Sequence, residues 1–454
     1  MNPARAMQTG RLLTLLLVAA FALAGWKVFK RLPAPDFLPR PEATALWSVP
    51  KPSQVQKPGV QGLKQQISPD GRFGYDAQFV SSAPGQAVHA ASLVELTDGR
   101  LLAVWFSGSK EGAGDVTIQS AVMDQASLQW SPERTLFDRR QIERGLWRYV
   151  KKLGNPVIAR AANGSLLLWM VNVSLGGWAG SSITWSRSIN EGAIWSEPRR
   201  LVTSPFLNIS TLVKGAPVAL AGGQLALPVY HEFLTKFAEV LRINAKGEVV
   251  DKVRIPDSQT SLQPVMLVAS ANDAQVFMRS SGIPRVMSST TADAGKTWSS
   301  TRPAAWPNPD SALAGVVTDT GARWLALNPT PSGRGVLALF NAAAVRDQAG
   351  AAPWLVEPPA EPQVVQNRHD YEMLLGDELR ARGATEAQVQ AYTASATRQL
   401  CDGEKCAQEF SYPFLLQSSD GYIHLVYTWH RTRIKHVRID PLQSSIAAAS
   451  GSRR

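Results

Sequence analysis

Near its end the chain reads Trp429-His430-Arg431-Thr-Arg433-Ile-Lys435-His436, five basic side chains within eight residues. As a regular strand this stretch would set Arg431, Arg433 and Lys435 on one face and His430 and His436 on the other. Guanidinium forks match carboxylates, so such a face suits an acidic ligand. A solvated edge and a strand closing a ring of sheets are the competing readings. Further polar groups stand where strands are expected to end: Asn155 in Gly-Asn-Pro, Trp178 after Gly176-Gly177, and the run Tyr230-His231-Glu232. Asn308 and Asn328 each precede a proline. The formal net charge of +11 admits nucleic acid, an anionic membrane surface or an acidic substrate as partner. No long Lys/Arg block interrupts the body of the chain, which ranks nucleic acid last.

These residues need a scaffold, and the scaffold is legible as a repeat. A tight turn followed by an apolar strand recurs at Asp98-Gly99, Asn163-Gly164, Gly222-Gly223, Asp273, Gly321 and Asp420-Gly421. Asn-Gly and Asp-Gly are hairpin turns, and the residues after them carry strand propensity. Successive spacings of about 47 to 65 residues suit one four-stranded sheet per repeat, with a longer fifth gap. The expectation is an all-β, six-bladed β-propeller; a sandwich would not repeat a hairpin at this period. A second motif falls between the hairpins. Thr291-Ala-Asp293-Ala-Gly295-Lys-Thr297-Trp298 is a complete Asp box, and Ser188-Ile-Asn190-Glu-Gly192-Ala-Ile-Trp195 is a degraded copy. Asp124 to Trp130 is a candidate third. Within the box the acid caps the turn, glycine takes a left-handed conformation and Trp packs between strands.

Asp boxes in phase with such hairpins resemble the sialidase superfamily, in particular bacterial BNR-repeat sialidase-like proteins. The resemblance covers roughly residues 75–340 and 408–440. It implies hydrolysis of a glycosidic bond to a carboxylated sugar, with a Tyr nucleophile, a Glu that activates it, an Asp acid/base and three Arg on the carboxylate. Tyr412, in Ser-Tyr-Pro before the last hairpin, matches the nucleophile. Arg334 in Gly-Arg-Gly-Val-Leu matches the third Arg, and Arg279 or Arg285 the second. Three positions depart from the pattern. His89 stands where the first Arg belongs. Gln263 stands near the place of the Glu, and an amide cannot accept a proton as a carboxylate does. For the acid/base, Gly108-Ser-Lys-Glu111-Gly-Ala-Gly-Asp115 offers Glu111 in the loop and Asp115 at a strand start, where it could merely cap a turn. Glu232 is a replacement carboxylate or one half of a structural ion pair. His231, Asn155 and Arg431 complete the expected sugar contacts.

The remaining chain sets compartment and boundaries. Leu12 to Trp26 is an apolar run between basic flanks, matching a signal peptide or a membrane anchor over residues 1–31, and through residues 12–26 an inner-membrane contact. Residues 32–66 read as a linker, 67–440 as the propeller and 441–454 as a disordered tail. Either N-terminal reading exports the rest to the periplasm or beyond, where Cys401 and Cys406 would form a local disulfide. Within 341–409 the pattern breaks into an insertion with a helical hairpin, read either as a surface decoration or as a lid or docking element. No cofactor is expected; Asp boxes and loop carboxylates could hold a structural calcium ion. The sequence carries no signal of oligomeric state. Three functions follow: a hydrolase of sialic, other ulosonic or uronic acid glycans, a glycan-binding propeller without catalysis, and a lyase using His and Tyr on a uronic acid polymer.

Overall fold

The computed structural model describes residues 11–23, 35–40, 66–68, 73–124, 126–204, 208–342, 353–357 and 365–440. The tail expected over 441–454 lies outside them. Among the described residues seven antiparallel sheets form; six follow one another along the chain, each opened by the repeated hairpin, and the seventh is the small sheet of Val365–Asn367, Lys405–Ala407 and Cys401–Asp402. The first sheet runs Ala87–Glu95, Leu101–Gly108, Thr117–Met123, Arg134–Phe137; the second Lys152–Arg160, Leu166–Val173, Ser181–Ser188, Arg199–Arg200. In the third, Thr211–Val213 and Val218–Leu220 both pair Gln224–Glu232, which continues to Lys236–Ile243 and Val249–Arg254. The fourth is Ser261–Val268, Ala274–Ser280, Arg285–Thr291, Arg302–Pro307, and the fifth Ala314–Val317, Arg323–Leu327, Leu337–Asn341, Trp354–Glu357. The sixth joins late strands to early ones: Phe410–Gln417, Ile423–Trp429 and Arg433–Asp440, then Gly74–Phe79 and Gln66–Ile67.

In the first, second, fourth and sixth sheets the opening strand is buried on both faces, whereas Ala314–Val317 of the fifth alternates between buried and half-buried. Neighbouring sheets meet through these opening strands, except that the third meets the fourth through Gln224–Glu232 and Lys236–Ile243. The first packs on the second, the second on the third, and so on until Phe410–Gln417 packs on Ala87–Glu95. Turn chemistry holds the outer strands. In the intact Asp box, Asp293 Oδ1 accepts from Thr297 N at 2.9 Å, Thr291 Oγ1 accepts from Gly295 N at 3.0 Å, and Trp298 is buried. Ser188, Asn190 and Gly192 repeat that geometry, with Gly192 at φ 83°. At Asp124, by contrast, the carboxylate accepts from Ser127 N, a different turn.

Three expectations need correction. The linker is pinned at Phe37, which is buried against Gly295 and donates its N–H to the Ala271 carbonyl at 2.8 Å. Trp354–Glu357 belongs to the fifth sheet, so the departure from the repeat starts after it. The helical hairpin, Arg368–Ala381 and Glu386–Leu400, is neither a loose decoration nor a lid. Tyr371, Leu375, Leu379, Val389 and Tyr392 share one core with Trp324, Trp354, Tyr427 and Trp429 of the fifth and sixth sheets. A capping box at Thr385–Gln388 starts its second helix, and the Cys401–Cys406 disulfide closes the strand pair after it.

Candidate functional site

In four of the six sheets the opening strand slips register at the same place: His89/Ser92, Gly154/Val157, Leu262/Val265 and Ser411/Phe414. Each bulge holds a residue at positive φ, namely Ala90, Asn155, Gln263 and Tyr412. A bulge re-aims side chains that regular pleating would send into the sheet interface. In three cases proline follows, and its missing N–H costs no ladder bond at a bulge. The dipeptides Asn155-Pro, Gln263-Pro and Tyr412-Pro are the sequence signature of this device.

The bulges and neighbouring loop ends line a cavity of about 210 Å³. Its walls include His89, Glu111, Asn155, Glu232, Arg279, Arg334, Tyr412 and Arg431, together with Trp178, Leu212 and Tyr230. Gln263 lies beneath them. Its Nε2 donates to the Tyr412 hydroxyl at 3.1 Å and to Tyr230 Oη at 3.3 Å, while Asn155 Nδ2 also donates to Tyr230 Oη at 3.3 Å. Burial, and the acidic groups near it, push the Tyr230 phenol well up, so it stays protonated.

Three guanidinium groups converge here, each set against an acid. Arg279 is ion-paired with Asp310 at 2.9 Å. Arg334 lies 3.4 Å from Glu409, and Arg431 is 2.9 Å from Glu409 and 3.1 Å from Glu111. Burial alone would raise the Glu409 carboxyl, but Arg431 and Arg334 outweigh it and hold Glu409 below the usual range. The Glu232 carboxyl is raised by burial. His89 is held neutral, its pKa driven well below the ordinary value by burial and then by Arg431, Arg334, Lys214 and Arg279. Its ring centroid is 4.1 Å from that of Tyr412, and among the described residues neither ring nitrogen has a hydrogen-bond partner.

Arg431 reaches the cavity because the expected alternation fails. His430 and Arg431 both have positive φ and form a turn, so Arg431 points to the cavity while its two basic neighbours leave. Arg433 donates to the Ser81 carbonyl, and Lys435 pairs with Glu357 and with Glu378 at 2.7 Å. The helical hairpin buttresses this turn. Tyr371 Oη lies 2.9 Å from His430 Nδ1, and Gln399 donates to the Arg431 carbonyl at 3.4 Å.

Three anticipated residues lie elsewhere. Asp115 caps its own loop, accepting from Ser109 N at 3.0 Å and Ser109 Oγ at 3.1 Å. Arg285 is exposed and donates to the Ala305 carbonyl. His231 alternates away from the cavity, 2.7 Å from Glu239 and stacked on Phe237. One neighbour of Tyr412 carries no sequence signal. Lys214 is buried, donates to the Pro413 carbonyl at 2.9 Å and lies 5.8 Å from the Tyr412 ring. Burial, then Arg279, lowers its pKa to about 7. Among the described residues, no group of three or more His, Cys, Asp or Glu side chains is placed to hold a metal ion.

Comparison with known families places this geometry. A BNR repeat-like domain profile matches residues 99–425, well over half of the chain. The chain belongs to the BNR repeat-like domain family. No curated protein sequence matches it significantly. Solved structures with a similar fold include a Hadza microbial sialidase, at 14% identity over 77% of this chain with a TM-score of 0.55. The match spans 65% of that sialidase, just under two thirds of its length. A protein of unknown function from Dyadobacter fermentans matches over its whole length and 84% of this chain, at 11% identity and a TM-score of 0.57. The intramolecular trans-sialidase from Ruminococcus gnavus, solved with oseltamivir carboxylate, gives 11% identity, 80% and 96% coverage of the two chains and a TM-score of 0.53. This BNR repeat-like chain is therefore sialidase-like in fold.

Proposed function

We propose that this protein is an exported glycoside hydrolase, built as a six-bladed β-propeller, that removes a carboxylated sugar from an anionic glycan. The observation that carries this reading is the convergence of Arg279, Arg334 and Arg431 on the cavity that Tyr412 lines. Arg431 stands in for the Arg absent at His89. The round of sheet contacts supports the propeller, the Cys401–Cys406 disulfide supports an oxidising compartment, and residues 12–26 serve as signal or anchor. Residues 11–23 are helical, and among the described residues no helix is long and apolar enough to cross a membrane. The sialidases among its structural relatives support an acidic sugar.

In this mechanism the three guanidinium groups bind the sugar carboxylate, and Glu409 and Asp310 orient their forks. The Tyr412 oxygen forms a bond to the anomeric carbon as the bond to the leaving oxygen breaks. Glu111 gives that oxygen a proton, and Glu232 takes the phenol proton. Water then attacks the anomeric carbon, passes a proton to Glu111 and releases the tyrosyl oxygen, which recovers its proton from Glu232. A neutral phenol suits this centre because an anionic carboxylate would be repelled by the substrate's own charge.

Wild-type protein and Tyr412→Phe are to be assayed on a panel of sialosides and uronides. Free sugar release by the wild type and its loss in the variant are expected. Release that survives the substitution removes Tyr412 from the mechanism. An ultraviolet-absorbing unsaturated product identifies a lyase, for which the unpartnered His89 is the available base. Binding without cleavage supports the non-catalytic reading, which gains from the amide of Gln263 beside Tyr412.

A further inference from the structure

The segment 139–152, Arg-Arg-Gln-Ile-Glu-Arg-Gly-Leu-Trp-Arg-Tyr-Val-Lys-Lys, holds six cations and one acid. Its helix, Arg139–Leu146, ends in Trp147, which is left-handed and 96% exposed. Among the described residues, Arg140, Arg144, Arg148 and Lys151 pair with no carboxylate. Glu143, the single acid, is occupied by the Val150 N–H at 3.0 Å. Arg148 is close enough to Arg200 for its charge to help lower the Arg200 pKa, after burial. Like charges accumulate over Arg140–Lys151, whereas Lys152 lies near carboxylates, those of Glu111 and Glu232.

Beside this basic patch is an apolar one of the wrong kind for sugar. Leu175 is 78% exposed and lies three residues before Trp178; Leu234 is 87% exposed and lies two residues after Glu232. Phe233 and Tyr149 are also more than half exposed. Trp178 and Glu232 are cavity walls, so these loop tips belong to the cavity rim. The two loops meet where Ser174, next to Leu175, donates its Oγ–H to the Tyr149 carbonyl at 2.6 Å. Lys152 joins the two regions, its Nζ 3.9 Å from the Trp178 ring centroid. Trp and Tyr would stack on sugar rings, but Leu175 and Leu234 offer a glycan neither a hydrogen bond nor a flat face. Exposed Trp, Tyr, Phe and Leu amid uncompensated Arg and Lys match the bilayer interface, where headgroups supply negative charge and acyl chains receive apolar side chains.

We propose that the cavity rim, through Leu175, Phe233 and Leu234, together with the neighbouring segment that carries Trp147 and the cations of residues 140–151, docks on an anionic lipid bilayer. The cavity mouth then faces the membrane, and glycans carried on lipid are the substrates within reach. This contact is separate from any anchoring by residues 12–26.

The test uses the full chain with an environment-sensitive fluorophore on Leu234→Cys, the two native cysteines being joined in their disulfide. It is mixed with vesicles of phosphatidylcholine alone or with phosphatidylglycerol added. Fluorophore emission should shift to the blue, with quenching by lipid-borne quenchers, on the anionic vesicles only. Arg144→Glu with Arg148→Glu should weaken that response at least about tenfold. A fluorophore that stays in water on anionic vesicles overturns the proposal, even where the chain sediments with them through its N-terminal segment. Equal shifts on neutral vesicles, or no effect of the charge reversals, overturn it too. A blue shift with dextran sulfate matching that on anionic vesicles would assign the rim to a polymeric glycan instead. No sugar is cleaved in this assay, so its outcome is independent of the hydrolase reading.

Discussion

Lys214 shows how much a single buried charge can weigh. Its ammonium has the Pro413 carbonyl as hydrogen-bond acceptor, and its pKa is lowered to about 7 by burial first and by Arg279 second. The unfolded chain would hold that proton to about 10.4. Between these values the unfolded state binds more protons, so stability rises with pH from about 7 towards 10. Urea midpoints measured across that range should climb in the wild type, and Lys214→Met should flatten the climb. An unchanged slope in the variant would mean that Lys214 keeps its proton in the fold. The same substitution should lower turnover in the proposed hydrolase, because the ammonium favours negative charge on the Tyr412 oxygen. Its sequence neighbours, Val213-Lys214-Gly215, give no hint of this. Nothing local marks a lysine for burial; only the convergence of the third and sixth sheets does.

At the scale of elements, one polar chain joins the first sheet to the sixth. Trp130 Nε1 can only donate, so His436 Nδ1 accepts at 3.3 Å. His436 Nε2–H then donates to His424 Nδ1 at 2.9 Å, and His424 Nε2–H to Ser418 Oγ at 2.8 Å. Both imidazoles are neutral: burial lowers the His424 pKa to about 3 and drives His436 well below its ordinary value. Unfolded histidines take protons near 6.5, so stability is full above that pH and is lost as pH falls from about 6.5 towards 3. Thermal melts from pH 7 down to 4 should show a falling Tm. His424→Phe should cost about 1–3 kcal/mol at pH 7 by leaving buried partners unpaired, yet lose less on acidification. A fall just as steep in the variant would place the acid sensitivity elsewhere, with His89 and His430, also buried and lowered, as the next residues to test.

For the whole molecule, the decisive contact joins an early strand to the last one. Gly74–Phe79 pairs with Arg433–Asp440, and Arg438 pairs with Asp76 at 2.8 Å with both side chains largely buried. Burial outweighs Arg438 and raises the Asp76 carboxyl. Asp76→Ala would strand a buried guanidinium in the sheet that joins Gly74–Phe79 to Arg433–Asp440. It should destabilise the fold by about 3–5 kcal/mol, measured as a lower urea midpoint. A change below about 0.5 kcal/mol, the size of an ordinary surface substitution, would show that the sixth sheet does not depend on this pair.

The sequence by itself determined the local grammar of this protein. Turn glycines at Gly99, Gly164, Gly321 and Gly421 take positive φ, and the Asp box at Thr291–Trp298 folds as its residue types require, because these interactions close within a few residues. Tyr412, Arg334, Arg279, His89 and Glu111 were legible as a set through the family resemblance, and all line one cavity. Arg431 was legible as a cation but not in its setting, because two left-handed residues override strand alternation only once Tyr371 and Gln399 brace the turn. Asp115, Arg285 and His231 have the right chemistry and the wrong direction, which is decided by register and by the neighbouring sheet. Cavity chemistry depends on side chains that meet from positions as far apart as Glu111 and Arg431, 320 residues. Tertiary structure alone decides which of them meet, and how far burial moves their charges.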